Sequence, residues 1–201
     1  MGSLPTTVRG RQTRQRIVNA AAQVVAEKGA LAASLDDVGE RARASRSQIY
    51  HYFEDKTDLL LAVAEATNDA VLGAQADLFA ALDTWAGLVS WTDAIVSFQQ
   101  SAAGLRGCPI ANLLGQMGER DDGIRALLAE GLDRWEAHIR TGLGAMVTSG
   151  ELRADADPTW LATSTLASLQ GGLVLAHARR DARPLRAALD GALALIATYR
   201  T

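Results

Sequence analysis

Signals for three short helices are compressed into the first 53 residues, and this spacing constrains the fold more than any other feature of the chain. The first helix is predicted from apolar residues that recur at helical spacing and share one face: Ile17, Ala20, Ala21, Val24 and Val25. Gly29 follows at a position where helices commonly end. The chain is therefore expected to begin with a helix that stops near Gly29.

The second and third helices are predicted from their N-terminal caps. Ser34 followed by Asp37 places a capping hydroxyl before an acid in the first turn. Ser45 and Gln48 have the spacing of a capping box, after which Ile49 and Phe53 share one helical face. A few residues separate the two helices, which is the arrangement of a helix-turn-helix unit.

Longer helices are predicted for the rest of the chain from apolar periodicity and from Gly, Asp and Pro at the boundaries. Few stretches alternate like strands, and aromatic residues make up only 5% of the chain. We therefore expect an all-α fold, with a helix-turn-helix domain over 1–56 and a larger helical domain over 57–201. The predicted segments are 56–82, 85–103 with a stop at Gly104, a shorter helix from Pro109, 121–149, 158–180 and 183–199.

The charge is distributed unevenly between these two parts. The whole chain carries a net charge of −3, yet the residues up to Asp58 carry nine basic and seven acidic side chains. Four arginines and no acid occur in the first sixteen positions, namely Arg9, Arg11, Arg14 and Arg16. This pattern favours contact of the N-terminal part with an anion, through an arm that contains Arg9 and Arg11. A solvated, disordered tail is the alternative interpretation of these residues.

The cysteine content and the apolar runs bear on disulfides, metal sites, secretion and membrane insertion. Cys108 is the only cysteine, which rules out an internal disulfide and a thiol metal cluster. His138 and His177 lack metal-ligand spacing with any acid or thiol, so no metal and no cofactor are predicted. The first residues lack the apolar core of a secretory signal, and no run is long enough to span a membrane. We therefore expect a cytoplasmic protein.

Residues 13–60 resemble the DNA-binding domain of the TetR family of transcriptional regulators. The most specific part is SRSQIYHYFEDKTDLL at 45–60, where Ile-Tyr-His-Tyr-Phe precedes an acidic pair, a lysine and a leucine pair. Two later runs, GCPIANLLGQMGERDDGIRALL and LQGGLVLAHARRDARPLRAAL, are similar to the regulatory domain of a TetR subgroup that includes multidrug-resistance regulators.

The turn between the second and third helices departs from the family pattern. Arg43 stands where the family usually has glycine. A left-handed residue at this position costs a non-glycine residue about 1 kcal/mol. Either the turn has another shape or the cost is absorbed elsewhere.

The third helix is the expected recognition helix. Arg46 and Gln48 carry donors suited to guanine and adenine edges, whereas Tyr50 and His51 can reach phosphate oxygens. Tyr52 is equally compatible with a core position, and the resemblance implies that Lys56 donates to a phosphate. The predicted DNA-binding residues are Ser34, Arg43, Ser45, Arg46, Ser47, Gln48, Tyr50, His51, Tyr52 and Lys56.

The larger domain is expected to bind an effector and to form a homodimer. The resemblance implies that the last two helices pair with those of a second copy through Leu161, Thr165, Ser168, Gly172, Leu175, Leu185, Leu189, Ala192, Leu193 and Ile196, although these are also typical core residues. The residues expected to line a ligand cavity are Trp91, Phe98, Leu113, Met117, Trp135, His138, Met146 and Gln170, for which ordinary core packing is the alternative.

Together these features predict a ligand-responsive repressor. The homodimer is expected to bind a palindromic double-stranded DNA operator and to release it when a small, largely apolar effector binds. A helical enzyme and a nonspecific architectural DNA-binding protein are the alternatives. The sequence has no paired nucleophile and base for the first, and its net negative charge disfavours the second.

Overall fold

The computed structural model describes residues 5–101 and 107–201. Within these ranges every regular element is an α-helix, apart from an isolated antiparallel bridge between Leu152 and Arg200. The predicted all-α fold is confirmed. The helices are α1 Val8–Lys28, α2 Leu35–Ala42, α3 Arg46–Tyr52, α4 Lys56–Gly73, α5 Ala76–Phe79, α6 Trp85–Gln100, α7 Pro109–Met117, α8 Asp122–Ser149, α9 Pro158–Arg179 and α10 Arg183–Ala197.

The predicted caps account for where most of these helices begin. Ser34 and Ser45 each form a complete capping box, at the start of α2 and α3. Asp157 accepts the backbone N–H of Thr159 at 2.9 Å and of Trp160 at 3.2 Å, which caps α9. Local side-chain chemistry therefore fixes these starts.

The predicted helix over 56–82 is wrong in one respect, because it is two helices. The helix α4 ends at Gly73, and Gln75 precedes α5 with backbone angles outside the helical range. The Gln75 side chain accepts the indole N–H of Trp91 at 2.9 Å. This long-range hydrogen bond accompanies the break, and glycine is a poor helix former.

Two predicted C-terminal boundaries also differ from the structure. The helix α6 ends at Gln100 with Ser101 as its C-cap, and the predicted continuation to Ala103 and stop at Gly104 lie outside the described residues. The helix α10 ends at Ala197, two residues before the predicted end at Tyr199. None of the described helices is long and apolar enough to cross a bilayer.

The described chain divides into two compact units. The first contains the residues up to Val71 together with Pro109–Gly131, so it is larger than the predicted domain over 1–56. Two side chains fasten the added segment. Gln116 Oε1 accepts the backbone N–H of Ala30 at 2.7 Å, and Asn68 Nδ2 donates to the carbonyl of Leu127 at 2.7 Å.

The second unit comprises Leu72–Cys108 and Leu132–Thr201. Its helices α9 and α10 pack against each other through Gly172, where an added Cβ would lie 3.0 Å from Ala188 Cβ. A salt bridge of 2.7 Å from Arg186 to Asp93 joins α10 to α6. The fully buried side chains of this core include Leu82, Leu88, Trp91, Ile139, Leu143, Met146, Leu161, Leu169, Leu185, Leu189 and Ile196.

Candidate nucleic-acid interface

The helix α3 presents a polar face to solvent over a buried apolar anchor. Ile49 and Phe53 are each 1% exposed, which confirms that they hold this helix on the core. Tyr50 is 48% exposed, and Tyr52 is half-buried with its ring edge-to-face against His51. Other residues of the same segment are exposed, namely Ser45, Arg46, Ser47, Gln48 and His51. The face that reaches outward is rich in hydrogen-bond donors and acceptors.

The capping box of α3 is formed by Ser45 and Gln48, two of the residues predicted to bind DNA. Ser45 Oγ accepts the Gln48 backbone N–H at 3.2 Å, and Gln48 Oε1 accepts the Ser45 N–H at 2.9 Å. A bidentate contact from Gln48 to adenine uses this oxygen and the amide N–H, so the oxygen would accept from Ser45 and from the base through its two lone pairs. Arg46 has no such restraint, because its nearest carboxylate, Asp36, is 3.9 Å away and both side chains are exposed.

The turn before α3 is left-handed at Arg43, with φ 48° and ψ 48°. The sequence predicted a cost of about 1 kcal/mol for this conformation in a residue other than glycine. The side chain of Arg16 offsets it, since its Nη1 donates to the carbonyl of Ala42 at 2.6 Å and reaches the carbonyl of Arg43 at 3.4 Å. The turn therefore keeps the left-handed shape without glycine.

The predicted basic arm is wrong, because Arg9 and Arg11 lie within the first turn of α1. This helix begins at Val8, and Thr7 caps it by accepting the N–H of Gly10 at 3.1 Å. Arg11 donates to the carbonyl of Thr6 at 2.7 Å.

The other two arginines of this segment face the helix-turn-helix core. Arg14 lies over the ring of Phe53 at 5.0 Å from its centroid. Arg16 binds the turn, as described above. These two arginines therefore stabilise the helix-turn-helix unit itself. A count of charges along the sequence could not show these contacts.

Two ion pairs join α1 to α2. Arg41 binds Glu27 through two hydrogen bonds of 2.6 and 2.7 Å. Lys28 donates to Asp37 at 2.6 Å, and this bond together with those from Ser34 lowers the pKa of Asp37 to about 2. The hydroxyl of Ser34 donates to Asp37 Oδ2 at 2.8 Å, so donation of the same O–H to a phosphate would replace this bond to the carboxylate.

The loop between α1 and α2 is held by residues from outside the three-helix unit. Lys56 Nζ donates to the carbonyl of Leu31 at 3.1 Å. This bond uses one of the three donors of the ammonium group that is predicted to reach a phosphate. Gln116 Oε1 accepts from Ala30 and also lies 3.0 Å from the position of a Cβ added at Gly29. Gly29 has φ 82°, so glycine there meets both a backbone and a steric requirement. Sequence reasoning identified Gly29 but missed Arg16 and Gln116, because no local pattern marks a long-range partner.

The eight residues predicted to line a ligand cavity do not come together in one unit. Leu113 and Met117 belong to the first unit, and the other six belong to the second. Trp91, Trp135 and Met146 are buried.

Two of the eight lie on the surface instead of in a cavity wall. Phe98 is 64% exposed, because it occupies the solvent-facing side of α6. His138 is exposed and stacks on Phe79 with ring centroids 4.3 Å apart.

The predicted dimer residues also lie largely elsewhere than expected. Most of them are buried within one chain, where α9 packs on α10, as the core alternative allowed: Leu161, Thr165, Gly172, Leu185, Leu189, Ala192 and Ile196. Leu175 is the exception among the predicted residues: it is 45% exposed, on a face of α9 where Trp160 and Val174 are also exposed, at 50% and 61%. Ala167 and Gly171 lie between them on the same side and are exposed as well.

Among the described residues, two of the surface grooves have the volume of a small molecule, and neither of these is lined by any of the eight predicted residues. One, of about 430 Å³, lies between α1 and α2 and is lined by Gln12, Gln15, Arg16, Asn19, Ala20, Gln23 and Arg41. The other, of about 390 Å³, is lined by Gln99, Gln100, Ser101, Arg180, Asp181, Ala182 and Arg183. Among the described residues, no cluster of three His, Cys, Asp or Glu side chains is placed to hold a metal ion.

Two family models match this chain. Residues 17–63 match the bacterial regulatory proteins of the tetR family, and residues 84–192 match a tetracyclin repressor-like C-terminal domain. The first match spans α2, α3 and their connecting turn, which is the segment described above. The protein is a DNA-binding transcriptional regulator of the TetR family.

Individual relatives agree with this membership. The transcriptional regulator AcuR of Cereibacter sphaeroides is 31% identical over 172 residues, which cover 85% of this chain and 78% of AcuR. The regulatory protein TetR from Rhodobacter sphaeroides has a TM-score of 0.78 at 26% identity, covering 90% of this chain and 97% of its own. A TetR-family regulator from Cytophaga hutchinsonii shares the fold, with a TM-score of 0.86 at 23% identity over 98% and 99% of the two chains. TetR-family members are regulators and not enzymes, which decides against the enzyme alternative.

Proposed function

We propose that this chain is a ligand-responsive repressor that binds a near-palindromic operator as a homodimer and releases it when a small effector binds. The main support is that α3 exposes a polar face while Ile49 and Phe53 hold the helix on the core. One recognition helix reads too few base pairs for selectivity, so two copies are required. A two-fold dimer places two such helices in successive major grooves, about 34 Å apart.

In this proposal the residues of α3 have separate tasks. Arg46 is exposed and weakly restrained, so it reads a guanine edge in the major groove. Tyr50 and His51 donate to phosphate oxygens and set the register of the helix on the duplex.

The exposed face of α9 supports the dimer. Trp160, Val174 and Leu175 are large apolar side chains that one chain leaves in solvent. Ala167 and Gly171 between them allow a second helix to approach closely, and an added Cβ at Gly171 would meet nothing within 4 Å. In a two-fold dimer the same face of both copies would be covered, as an isologous interface requires.

The response to an effector follows from two arrangements of the dimer. In one arrangement the two α3 helices have the spacing of successive major grooves, and in the other they do not. An effector that binds the second arrangement more tightly releases the operator, by a factor no larger than its preference for that arrangement. The tetracyclin repressor-like match over residues 84–192 supports repression as the mode of action.

The experiment is binding of the purified protein to the DNA upstream of its own gene, measured by fluorescence anisotropy at physiological salt. We expect selective binding over scrambled DNA of equal length and a loss of at least tenfold on changing Tyr50 and His51 to alanine. Changing His177, which is exposed on α9, to alanine is the matched control and should leave affinity unchanged. Equal binding to both duplexes would instead indicate the nonspecific architectural alternative.

A further inference from the structure

Three side chains of the second unit have buried polar atoms without a partner among the described residues: Gln99, Trp135 and Gln170. Gln99 lies eight residues after Trp91 on α6, so it is about two turns away from Trp91 along that helix. Trp135 is 4% exposed, and its indole N–H finds no acceptor. Both amide atoms of Gln170 are buried and unpaired. Each such group lowers the stability of the folded chain by an amount comparable to a lost hydrogen bond, so natural proteins keep few of them.

The register of the helices places Trp135 at the level of Trp91. His138 on α8 stacks on Phe79, and Gly142 on α8 lies against Leu82, so α8 runs in the same direction as α5 and the turn after it. Trp135 precedes His138 by three residues, which is about one helical turn. It therefore lies level with the start of α5, where Gln75 accepts the indole N–H of Trp91.

The same reasoning places Gln170 at this level from the other side. Arg186 on α10 pairs with Asp93 on α6, and Arg200 lies over the ring of Trp85, so these helices are antiparallel. Gly172 on α9 packs between Leu185 and Ala188 of α10. Gln170 precedes Gly172 by two residues, so it lies near the same part of α10. That part of α10 faces residue 91 of α6, to within about one helical turn. Trp91, Trp135 and Gln170 thus share one cross-section of the unit.

The unpaired atoms define a ligand chemistry. The indole N–H of Trp135 needs an acceptor, and the amide of Gln170 needs both an acceptor and a donor. Trp91 is already paired with Gln75, so its ring supplies apolar surface. The described residues of the second unit that are buried and polar are Thr92, Gln99 and Thr165. None of them is charged, so they do not neutralise a buried charge.

We propose that Trp135 and Gln170 bind an uncharged effector that carries a hydrogen-bond acceptor beside a donor, a carboxamide being the simplest such group. This assignment rests on the proposed function, since it names the chemistry of the effector. It replaces the largely apolar effector expected from the sequence, because an apolar ligand would leave three polar atoms unpaired.

The first test needs neither ligand nor DNA. Trp135→Phe removes the N–H and keeps an aromatic ring, and Gln170→Met removes the amide at similar length. We expect the Tm of ligand-free Gln170→Met to equal or exceed that of the wild type, by up to about 6 °C, because two unpaired polar atoms are removed at similar side-chain volume. Trp135→Phe also removes ring volume from the core, which lowers the Tm by itself, so this variant is used only for the response to the probes below. Gln100→Met, at an exposed glutamine on α6, is the matched control and should not change the Tm. A fall in the Tm of Gln170→Met would mean that its amide binds protein groups, which overturns the proposal.

The second test compares three probes of similar size: benzamide, benzoate and toluene. We expect benzamide at millimolar concentration to raise the Tm of the wild type more than benzoate or toluene does. It should not raise the Tm of either variant. A larger shift with toluene or benzoate, or no shift with any probe, contradicts the proposal. Neither measurement involves an operator, so a failure of repression would leave these results unaffected.

Discussion

Single residues decide how the helix-turn-helix unit keeps its shape. Arg43 adopts a left-handed conformation that suits glycine, and Arg16 reaches across from α1 to bind the carbonyl oxygens of that turn. Arg14 lies over Phe53 in the same unit. The N-terminal arginines predicted to form a DNA-binding arm are in part structural, because their neighbours in space differ from their neighbours in sequence.

The strain at Arg43 predicts a stabilising substitution. Arg43→Gly should raise the free energy of unfolding by about 1 kcal/mol, because glycine adopts the left-handed conformation without a steric penalty. Arg43→Lys keeps the charge and the strain, so it should gain nothing. Urea denaturation followed by circular dichroism measures both, and equal stability of the two variants would contradict the account.

Arg16→Met should destabilise the wild type by about 1 kcal/mol, since it removes a charged donor from the turn. Combined with Arg43→Gly, the same change should cost less, because the turn then needs less support. The interaction energy from a double-mutant cycle gives the coupling. Strict additivity of the two substitutions would show that Arg16 does not support the turn.

The low pKa of Asp37 predicts that this residue stabilises the fold by an amount that depends on pH. Its pKa in the folded chain is about 2, below the usual value near 4, because Lys28 and Ser34 bind the carboxylate. A depressed pKa stabilises the fold above about pH 4, and this stabilisation is lost as the pH falls towards 2. Asp37→Asn should therefore be less stable than the wild type at pH 7, with a smaller difference at pH 2.5. Thermal unfolding at both pH values measures this, and a difference independent of pH would refute it.

Individual helices show which parts of the fold local sequence determines. The starts of α2, α3 and α9 follow from caps at Ser34, Ser45 and Asp157, all visible in the sequence. The break between α4 and α5 was not predictable in the same way, because Gln75 bonds to Trp91 on another helix. Apolar periodicity continues through such a break, so it indicates one helix where the chain forms two.

The Gln75–Trp91 hydrogen bond predicts a marked loss of stability in Gln75→Leu. The indole of Trp91 is fully buried, so its N–H would be left without an acceptor at a cost of about 1–3 kcal/mol. Gln100→Leu makes the same change at an exposed position and should cost much less. Chemical denaturation of the two variants compares them, and similar losses would mean that the bond contributes nothing.

At the scale of the whole molecule, the sequence predicted the family and the fold well. It predicted the residues of the dimer interface and of the ligand site less well. The helix α3, its cap and its buried anchor were predicted correctly because these are local patterns. The dimer and ligand residues were chosen from apolar periodicity, which shows that a residue is covered but not by which neighbour. Seven of the ten expected dimer residues are buried within one chain, and Phe98 and His138 are exposed.

The exposed face of α9 predicts the oligomeric state. Val174→Glu places a charge on this face, so it should convert a dimer into monomers and weaken operator binding. Thr141→Glu introduces the same charge at an exposed position on α8 and should leave the dimer intact. Sedimentation velocity of both variants reports the mass, and a dimeric Val174→Glu protein would place the interface elsewhere.

The central claim is that two copies of α3 read DNA by sequence, and selection from a random duplex library with the full-length protein tests it most directly. The account predicts enrichment of an inverted repeat with half-sites about one helical turn apart. It also predicts that Arg46→Ala relaxes the preference for guanine at one position of each half-site. Failure to enrich any sequence, or enrichment of an unrepeated site that is indifferent to Arg46, would contradict it.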